Sequence, residues 1–131
     1  PVQRSGDPLK ILIAEDNLVN AKVVSKMLQR LGHEVVHVVN GELAVEYLQS
    51  NEVDVVLMDV QMPVMDGFEA TRRWRAIETT RANRVPIVAL TGNAMSTDRE
   101  MCLEAGMDLH LTKPIRLDLL DQMLTSLPPS R

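Results

Sequence analysis

Apolar positions along the chain follow two alternating patterns. Segments 9–14, 53–58 and 85–90 are short and rich in Val, Ile and Leu, which predicts strands buried on both faces. Segments 34–38 and 108–112 are more polar and predict edge strands. Between them, 17–31, 41–50, 67–78, 95–105 and 115–127 show helical spacing. In the first helix, Val19, Val23, Met27 and Leu31 form one apolar stripe, Asn20, Lys22, Lys26 and Arg30 lie off it, and Gly32 supplies the stop. In the last, Leu117, Leu120, Leu124 and Leu127 recur at intervals of three and four before Pro128-Pro129 ends the run.

Five consecutive strand–helix units imply a mainly parallel sheet covered by helices on both faces, a doubly wound α/β fold, because each parallel crossover needs a covering helix. A chain of 131 residues is the size of one such domain. Its expected extent is 9–127, with a polar linker at 1–8 and a short tail at 128–131. The start at Pro1, without an initiator Met, suits a domain cut from a longer protein.

Charge and composition narrow the functional classes. A net charge of -4 and a pI near 5.3 argue against a general binder of nucleic acid or anionic membrane, which would present a basic surface. The single cysteine, Cys102, excludes an intramolecular disulfide and reads as a small buried hydrophobe. No apolar run approaches the roughly 18 residues of a membrane span, and no secretory leader is visible, so a cytoplasmic location is expected.

In doubly wound folds the functional crevice lies beyond the carboxyl ends of the strands. Glu15 and Asp16 follow the first strand, and Asp59 ends the third. Three carboxylates at one edge repel unless a cation neutralises them, and hard oxygen donors favour Mg²⁺ or Mn²⁺ over zinc. A plainer reading makes Glu15 and Asp16 caps of the following helix. Thr91-Gly92 after the fourth strand and Lys113-Pro114 after the fifth add a hydroxyl, an open amide and a cation to the same edge. Such a set suits joint binding of a metal and a phosphoryl group, with Asp59 as nucleophile, Glu15 and Asp16 holding metal, and a backbone carbonyl offered at Gln61. The loop from Val60 to Gly67 contains two turn signals, Pro63 and Asp66-Gly67.

Four motifs in register, Ala14-Glu15-Asp16-Asn17, Met58-Asp59-Val60-Gln61-Met62-Pro63 with Met65-Asp66-Gly67, Leu90-Thr91-Gly92, and Leu111-Thr112-Lys113-Pro114, make the chain similar to the receiver (response-regulator) domains of two-component phosphorelay signalling. The resemblance runs from about Leu9 to Leu127 and looks most like receivers of hybrid sensor histidine kinases. It implies a flavodoxin-like five-stranded parallel sheet in the order 2-1-3-4-5 with five helices. It further implies that Asp59 is the phosphoacceptor, that Asp16 and the Gln61 carbonyl ligate Mg²⁺ directly with Glu15 acting through water, and that Thr91 is the switch hydroxyl. Lys113 would contact the phosphoryl group, and the Lys113-Pro114 bond would be cis. The implied partners are a histidine kinase dimerisation and phosphotransfer domain and a histidine phosphotransfer protein, with no nucleic acid bound and no membrane contact by this domain. The parent would be a membrane-anchored kinase carrying the domain on its cytoplasmic side. The family's aromatic switch position falls on His110, a departure, and Arg116 stands where a small helix-capping residue is usual.

Two other functions compete. An aspartate-dependent phosphohydrolase would need a second acid two residues after its nucleophile, where this chain has Gln61. For a degenerate receiver that docks partners without phosphorylation, only a missing donor would speak, since Glu15, Asp16, Asp59, Thr91 and Lys113 are all present. Whether the domain counts as an enzyme is left open by the sequence. Other features read structurally: the eight methionines, including Met58, Met62 and Met65, as core and loop packing, His33 and His37 as exposed positions on an edge strand, and Trp74 with Arg72, Arg73 and Arg75 as a solvated helix face.

Overall fold

The computed structural model describes residues 8–81, 83–92 and 96–127, apart from the side chains at 96–98. The expected linker, but for Pro8, and the tail lie outside the described residues. Five strands alternate with five helices: β1 (Lys10–Ala14), α1 (Leu18–Arg30), β2 (Glu34–Val38), α2 (Gly41–Ser50), β3 (Val55–Asp59), α3 (Gly67–Glu78), β4 (Ile87–Thr91), α4 (Ser96–Ala105), β5 (Leu109–Thr112) and α5 (Leu117–Ser126). All pairings are parallel, in the order β2-β1-β3-β4-β5. The doubly wound architecture and the polar edge strands β2 and β5 are thus as expected.

β3 and β4 begin two residues later than the apolar runs do. Pro86 has no N–H to donate to a ladder and contributes only its carbonyl, which accepts the Val56 N–H at 2.9 Å. Asp54 spends its own N–H on the Lys10 carbonyl and its carboxylate on the Lys10 N–H. Both strands also run one residue past the apolar runs, so Asp59 and Thr91 are their last residues.

The sheet separates two apolar layers by strand alternation. Leu12, Val56, Met58, Ile87 and Ala89 face one side, with Ala44, Leu48, Ala70, Trp74 and Cys102 packed over them. Ile11, Ile13, Val55, Leu57, Val88 and Leu90 face the other, covered by Val24 and Leu28 of α1 and Leu120, Met123 and Leu124 of α5. The expected face of α5 is buried at Leu120 and Leu124. Arg116 makes no capping hydrogen bond and instead pairs with Asp118 at 2.8 Å. Met58 lies in the core and Met62 and Met65 pack against it, and Cys102 is buried.

Three readings are corrected. The buried side of α1 is Ala21, Val24 and Leu28, not the Val19–Val23 stripe: Val19 and Val23 are 71% and 48% exposed. The side facing the sheet carries the small Ala21, which lets α1 approach closely, and small residues are weak signals in a hydrophobic pattern. Trp74 is not on a solvated face but buried, its Nε1 donating to Glu78 Oε2 at 3.1 Å and Arg81 stacked over its ring. His33 is buried and accepts the Leu9 N–H on Nδ1 at 2.9 Å, while His37 is half-buried on β2.

Opposite the functional edge, the half of the sheet carrying β4 and β5 is fastened by a buried ionic cluster. Arg75 of α3 donates to Glu78 Oε1 at 2.6 Å, to Asp108 Oδ2 at 2.8 Å and to the Gly106 carbonyl at 2.9 Å. Glu78 also accepts the Val85 N–H, and Asp108 the Ile87 N–H. Every strong charge here has hydrogen-bonded partners, the condition under which a buried ion pair is tolerable.

Candidate functional site

At the carboxyl edge of the sheet, β1 delivers Glu15 and Asp16, β3 delivers Asp59, β4 delivers Thr91, and the turn after β5 delivers Lys113. The plainer reading of Glu15 and Asp16 as helix caps does not hold. Asn17 is the N-cap of α1, its side chain accepting the Asn20 N–H at 3.0 Å. Glu15 is instead buried, and one of its oxygens accepts the Asn17 N–H at 3.2 Å.

Glu15, Asp16 and Asp59 each place a carboxylate oxygen within 4.8 Å of the others, Glu15 and Asp59 buried and Asp16 exposed. Asp59 is held from two directions: Oδ1 accepts the Gln61 N–H at 3.0 Å and Oδ2 accepts Lys113 Nζ at 2.8 Å. The same ammonium lies 3.0 Å from Glu15 Oε1. Burial, then the neighbouring Asp59 carboxyl, raises the Glu15 pKa to about 7, against the opposing pull of Lys113. Burial works against the Lys113 charge, but its hydrogen bonds to Asp59 and Glu15 keep its pKa above the ordinary value.

The crevice above these groups measures about 550 Å³ and is lined by the three acids, Asn20, Gln61 and Lys113, among others. Gln61 is exposed beside it. Thr91 is buried, and its Oγ1 meets no hydrogen-bond partner among the described residues. Its carbonyl accepts the Lys113 N–H at 2.7 Å, which ties the fourth and fifth strand ends together. The Lys113-Pro114 bond is cis. His110 is half-buried on β5, paired with Ala89, one alternation before the Thr91–Thr112 pair on the same face.

The loop between Asp59 and α3 is shaped by close packing. Pro63 to Met65 make a turn in which the exposed Val64 takes φ 69°, a conformation β-branched residues rarely adopt. A Cβ on Gly67 would collide with the Asp59 carbonyl, so only glycine lets α3 start directly beneath the site. Asp66 caps that helix by accepting the Glu69 N–H at 2.9 Å.

The donor set fits a hard divalent cation. Three carboxylates converge on one point, and no histidine or cysteine joins the cluster among the described residues. The sequence reading passed over two residues at this edge. Asn20 lines the crevice one helical turn after the Asn17 cap, a spacing visible in the sequence. His37 touches the Glu15 backbone, Nε2 to carbonyl at 2.8 Å, a contact that depends on the β1–β2 register, which the sequence does not display.

Known proteins share this arrangement of motifs and strands. Residues 11–125 match the family model of the response regulator receiver domain. Hybrid signal transduction histidine kinase H of Dictyostelium discoideum is 46% identical over 117 residues, covering 86% of this chain and 8% of the kinase. The chain therefore spans only a small part of that relative's length. The receiver domain of a sensor histidine kinase of Pseudomonas aeruginosa PAO1, solved with a magnesium ion in its active site cleft, is 45% identical with a TM-score of 0.82, covering 91% of this chain and 96% of that one. The receiver of the Saccharomyces cerevisiae regulator Ssk1, solved in complex with the histidine phosphotransfer protein Ypd1, is 30% identical with a TM-score of 0.83, covering 90% of this chain and 87% of that one. Among the described residues no helix is long and apolar enough to cross a membrane. With this strand order, this set of strand-end groups and this family match, the chain belongs to the response regulator receiver domains of phosphorelay signalling.

Proposed function

We propose that residues 9–127 form a receiver in which Asp59 takes a phosphoryl group from a phosphohistidine and passes it to the histidine of a phosphotransfer protein. A carboxylate oxygen of Asp59 forms the new bond to phosphorus as the bond to the donor imidazole nitrogen breaks, giving an aspartyl phosphate and free histidine. The observation that carries this reading is the buried Asp59 carboxylate, grouped with Glu15 and Asp16 and bonded to Lys113.

Asp16 and Asp59, with Glu15 and the Gln61 carbonyl, would hold Mg²⁺ or Mn²⁺; when bound, the ion supplies positive charge to the transferring phosphoryl oxygens. Lys113 carries the second positive charge and exchanges its carboxylate contact for a phosphoryl oxygen. The Thr91 hydroxyl, unpartnered among the described residues and positioned at the end of β4, turns to donate to another. The Gln61 N–H keeps one Asp59 oxygen in place throughout.

α1 exposes the apolar residues Leu18, Val19 and Val23, and Val23 lines a groove of about 510 Å³ with Pro114 and Ile115 beside Lys113. Such a surface suits docking of a histidine phosphotransfer partner, which must bring its imidazole to the crevice. The Ypd1 complex of the yeast relative supports this choice of partner. The likeness to a hybrid signal transduction histidine kinase supports a hybrid sensor histidine kinase as parent. The phosphohydrolase reading is disfavoured by Gln61, which offers no acid at the second position after Asp59. The complete set of Glu15, Asp16, Asp59, Thr91 and Lys113 argues against a degenerate receiver.

The test is intact mass after incubation with a small acyl phosphate, with and without Mg²⁺. Wild type should gain one phosphoryl group only with the metal, and Asp59→Asn none while melting normally. Unchanged wild-type mass, or phosphate on Asp59→Asn, would overturn the assignment.

A further inference from the structure

We infer that His37 is a positioning residue for the acidic cluster, acting through the backbone of Glu15; the inference rests on the proposed metal-assisted phosphotransfer. β1 and β2 pair in register from Lys10–Glu34 to Ala14–Val38, and the Glu15 N–H continues that contact by donating to the Val38 carbonyl at 3.0 Å. A parallel ladder extended by one more rung would bring the N–H of residue 40 to the Glu15 carbonyl. The chain turns away there, because Asn40 becomes the N-cap of α2 and its side chain accepts the Leu43 N–H at 2.9 Å. The His37 ring takes over the missing rung, with Nε2 2.8 Å from the Glu15 carbonyl oxygen. A carbonyl only accepts, so Nε2 carries the hydrogen.

The consequence falls on two carboxylates at once. Glu15 is held at both its N–H and its carbonyl by β2, directly below the side chain that reaches Lys113 and the Asn17 N–H. The Glu15 carbonyl also shares a rigid peptide plane with the Asp16 N–H, so fixing one fixes the direction in which the exposed Asp16 leaves β1. Three acids within 4.8 Å of one another repel, and that repulsion would be relieved if the turn after β1 swung out. The His37 bond opposes that movement. It thereby presents Glu15 and Asp16 in a metal-ready arrangement without itself touching metal or phosphate, as outer-shell donors do in metal sites.

The test titrates Mg²⁺ and, separately, Mn²⁺ into wild type, His37→Phe and His37→Gln by calorimetry, and measures amide exchange at Asp16 in the metal-free proteins. Phe keeps a flat ring without the donor, whereas Gln returns an N–H at similar reach. His37→Phe should bind the metals about tenfold more weakly, the lower end of the effect of losing an outer-shell partner, and exchange faster at Asp16; His37→Gln should match wild type in both. Should His37→Phe not fold, His37→Leu takes its place. Equal affinities in all three proteins, or equal losses in Phe and Gln, would refute the positioning role while leaving the proposed function standing. Failure of wild type to bind either metal would overturn the proposed function and this inference with it.

Discussion

Lys113 Nζ sits 2.8 Å from Asp59 Oδ2 and 3.0 Å from Glu15 Oε1, so a single ammonium bridges two buried carboxylates from different strands. It occupies the charge-neutralising role that a divalent cation would share. On the proposed function, a metal would therefore compete with the lysine for the same oxygens before transfer and act with it on the phosphoryl group during it.

Lys113→Ala should accordingly bind Mg²⁺ at least as tightly as wild type, because the acids lose a competing cation. Phosphorylation by a small acyl phosphate should slow by about a hundredfold, the cost typical of removing one donor from a developing negative charge. Calorimetric titration and mass-detected phosphorylation rates check the two halves independently. Loss of metal binding together with transfer would mean that Lys113 holds the site's shape instead.

The raised pKa of Glu15 has a defined pH signature in the metal-free protein. Its carboxyl moves from 4.5 to about 7 on folding, mainly through burial. Between those values the folded chain keeps a proton that the unfolded chain has released, so the stabilising contribution is complete below 4.5 and is lost as pH rises through about 7. Thermal melts in the presence of a chelator should show stability falling across this window, and Glu15→Gln should flatten the fall. Metal affinity should rise over the same range, since ligation requires the ionised carboxylate. A profile unchanged by Glu15→Gln would place the titrating group elsewhere.

Much of this was legible in the sequence because the information is local. The runs that became β1, β3 and β4 are apolar on both faces, and the charged or hydroxyl residues that end them mark the functional edge without reference to distant contacts. Gln61 beside Asp59 and Lys113 beside Pro114 were readable for the same reason. What failed depended on partners far along the chain. Val19 and Val23 resemble core residues by spacing, yet the sheet lies against Ala21, Val24 and Leu28. Trp74 is the exception: its partner Glu78 is only one helical turn on, but the burial of both rests on the core beneath α3 and on the Val85 N–H that Glu78 also accepts. His33 and His37 alternate with valines, but their roles come from bonds to Leu9 and Glu15 across the sheet.

The cluster around Arg75 should be a strong stability determinant remote from the site. Its side chain is 12% exposed and is shared between Glu78 and Asp108, two acids with little other cationic support in the case of Glu78. Removing the guanidinium leaves the Glu78 carboxylate buried without its ion-pair partner, so Arg75→Ala should destabilise by about 3 kcal/mol. Urea unfolding measures this. Phosphorylation of the folded fraction should be unaffected, because the cluster lies at the opposite end of β4.

The final prediction concerns His110, which stands where related receivers usually carry an aromatic ring. It shares a sheet face with Thr91 and borders a cavity of about 240 Å³ lined also by Cys102, Leu103 and Met107. A phenol ring has room there, so His110→Tyr should change stability by less than about 1.5 kcal/mol, as size-compatible replacements do. If output is chemical transfer to a histidine phosphotransfer protein, the swing of a ring at this position is immaterial, and the transfer rate of the variant should barely change. What should differ is the coupling between Thr91 and the β4–β5 face: amide exchange along β5 with a phosphoryl mimic should shift more in His110→Tyr than in wild type. A severe loss of transfer in His110→Tyr, or a wild-type response already spread across the whole face, would count against the relay and in favour of conformational output.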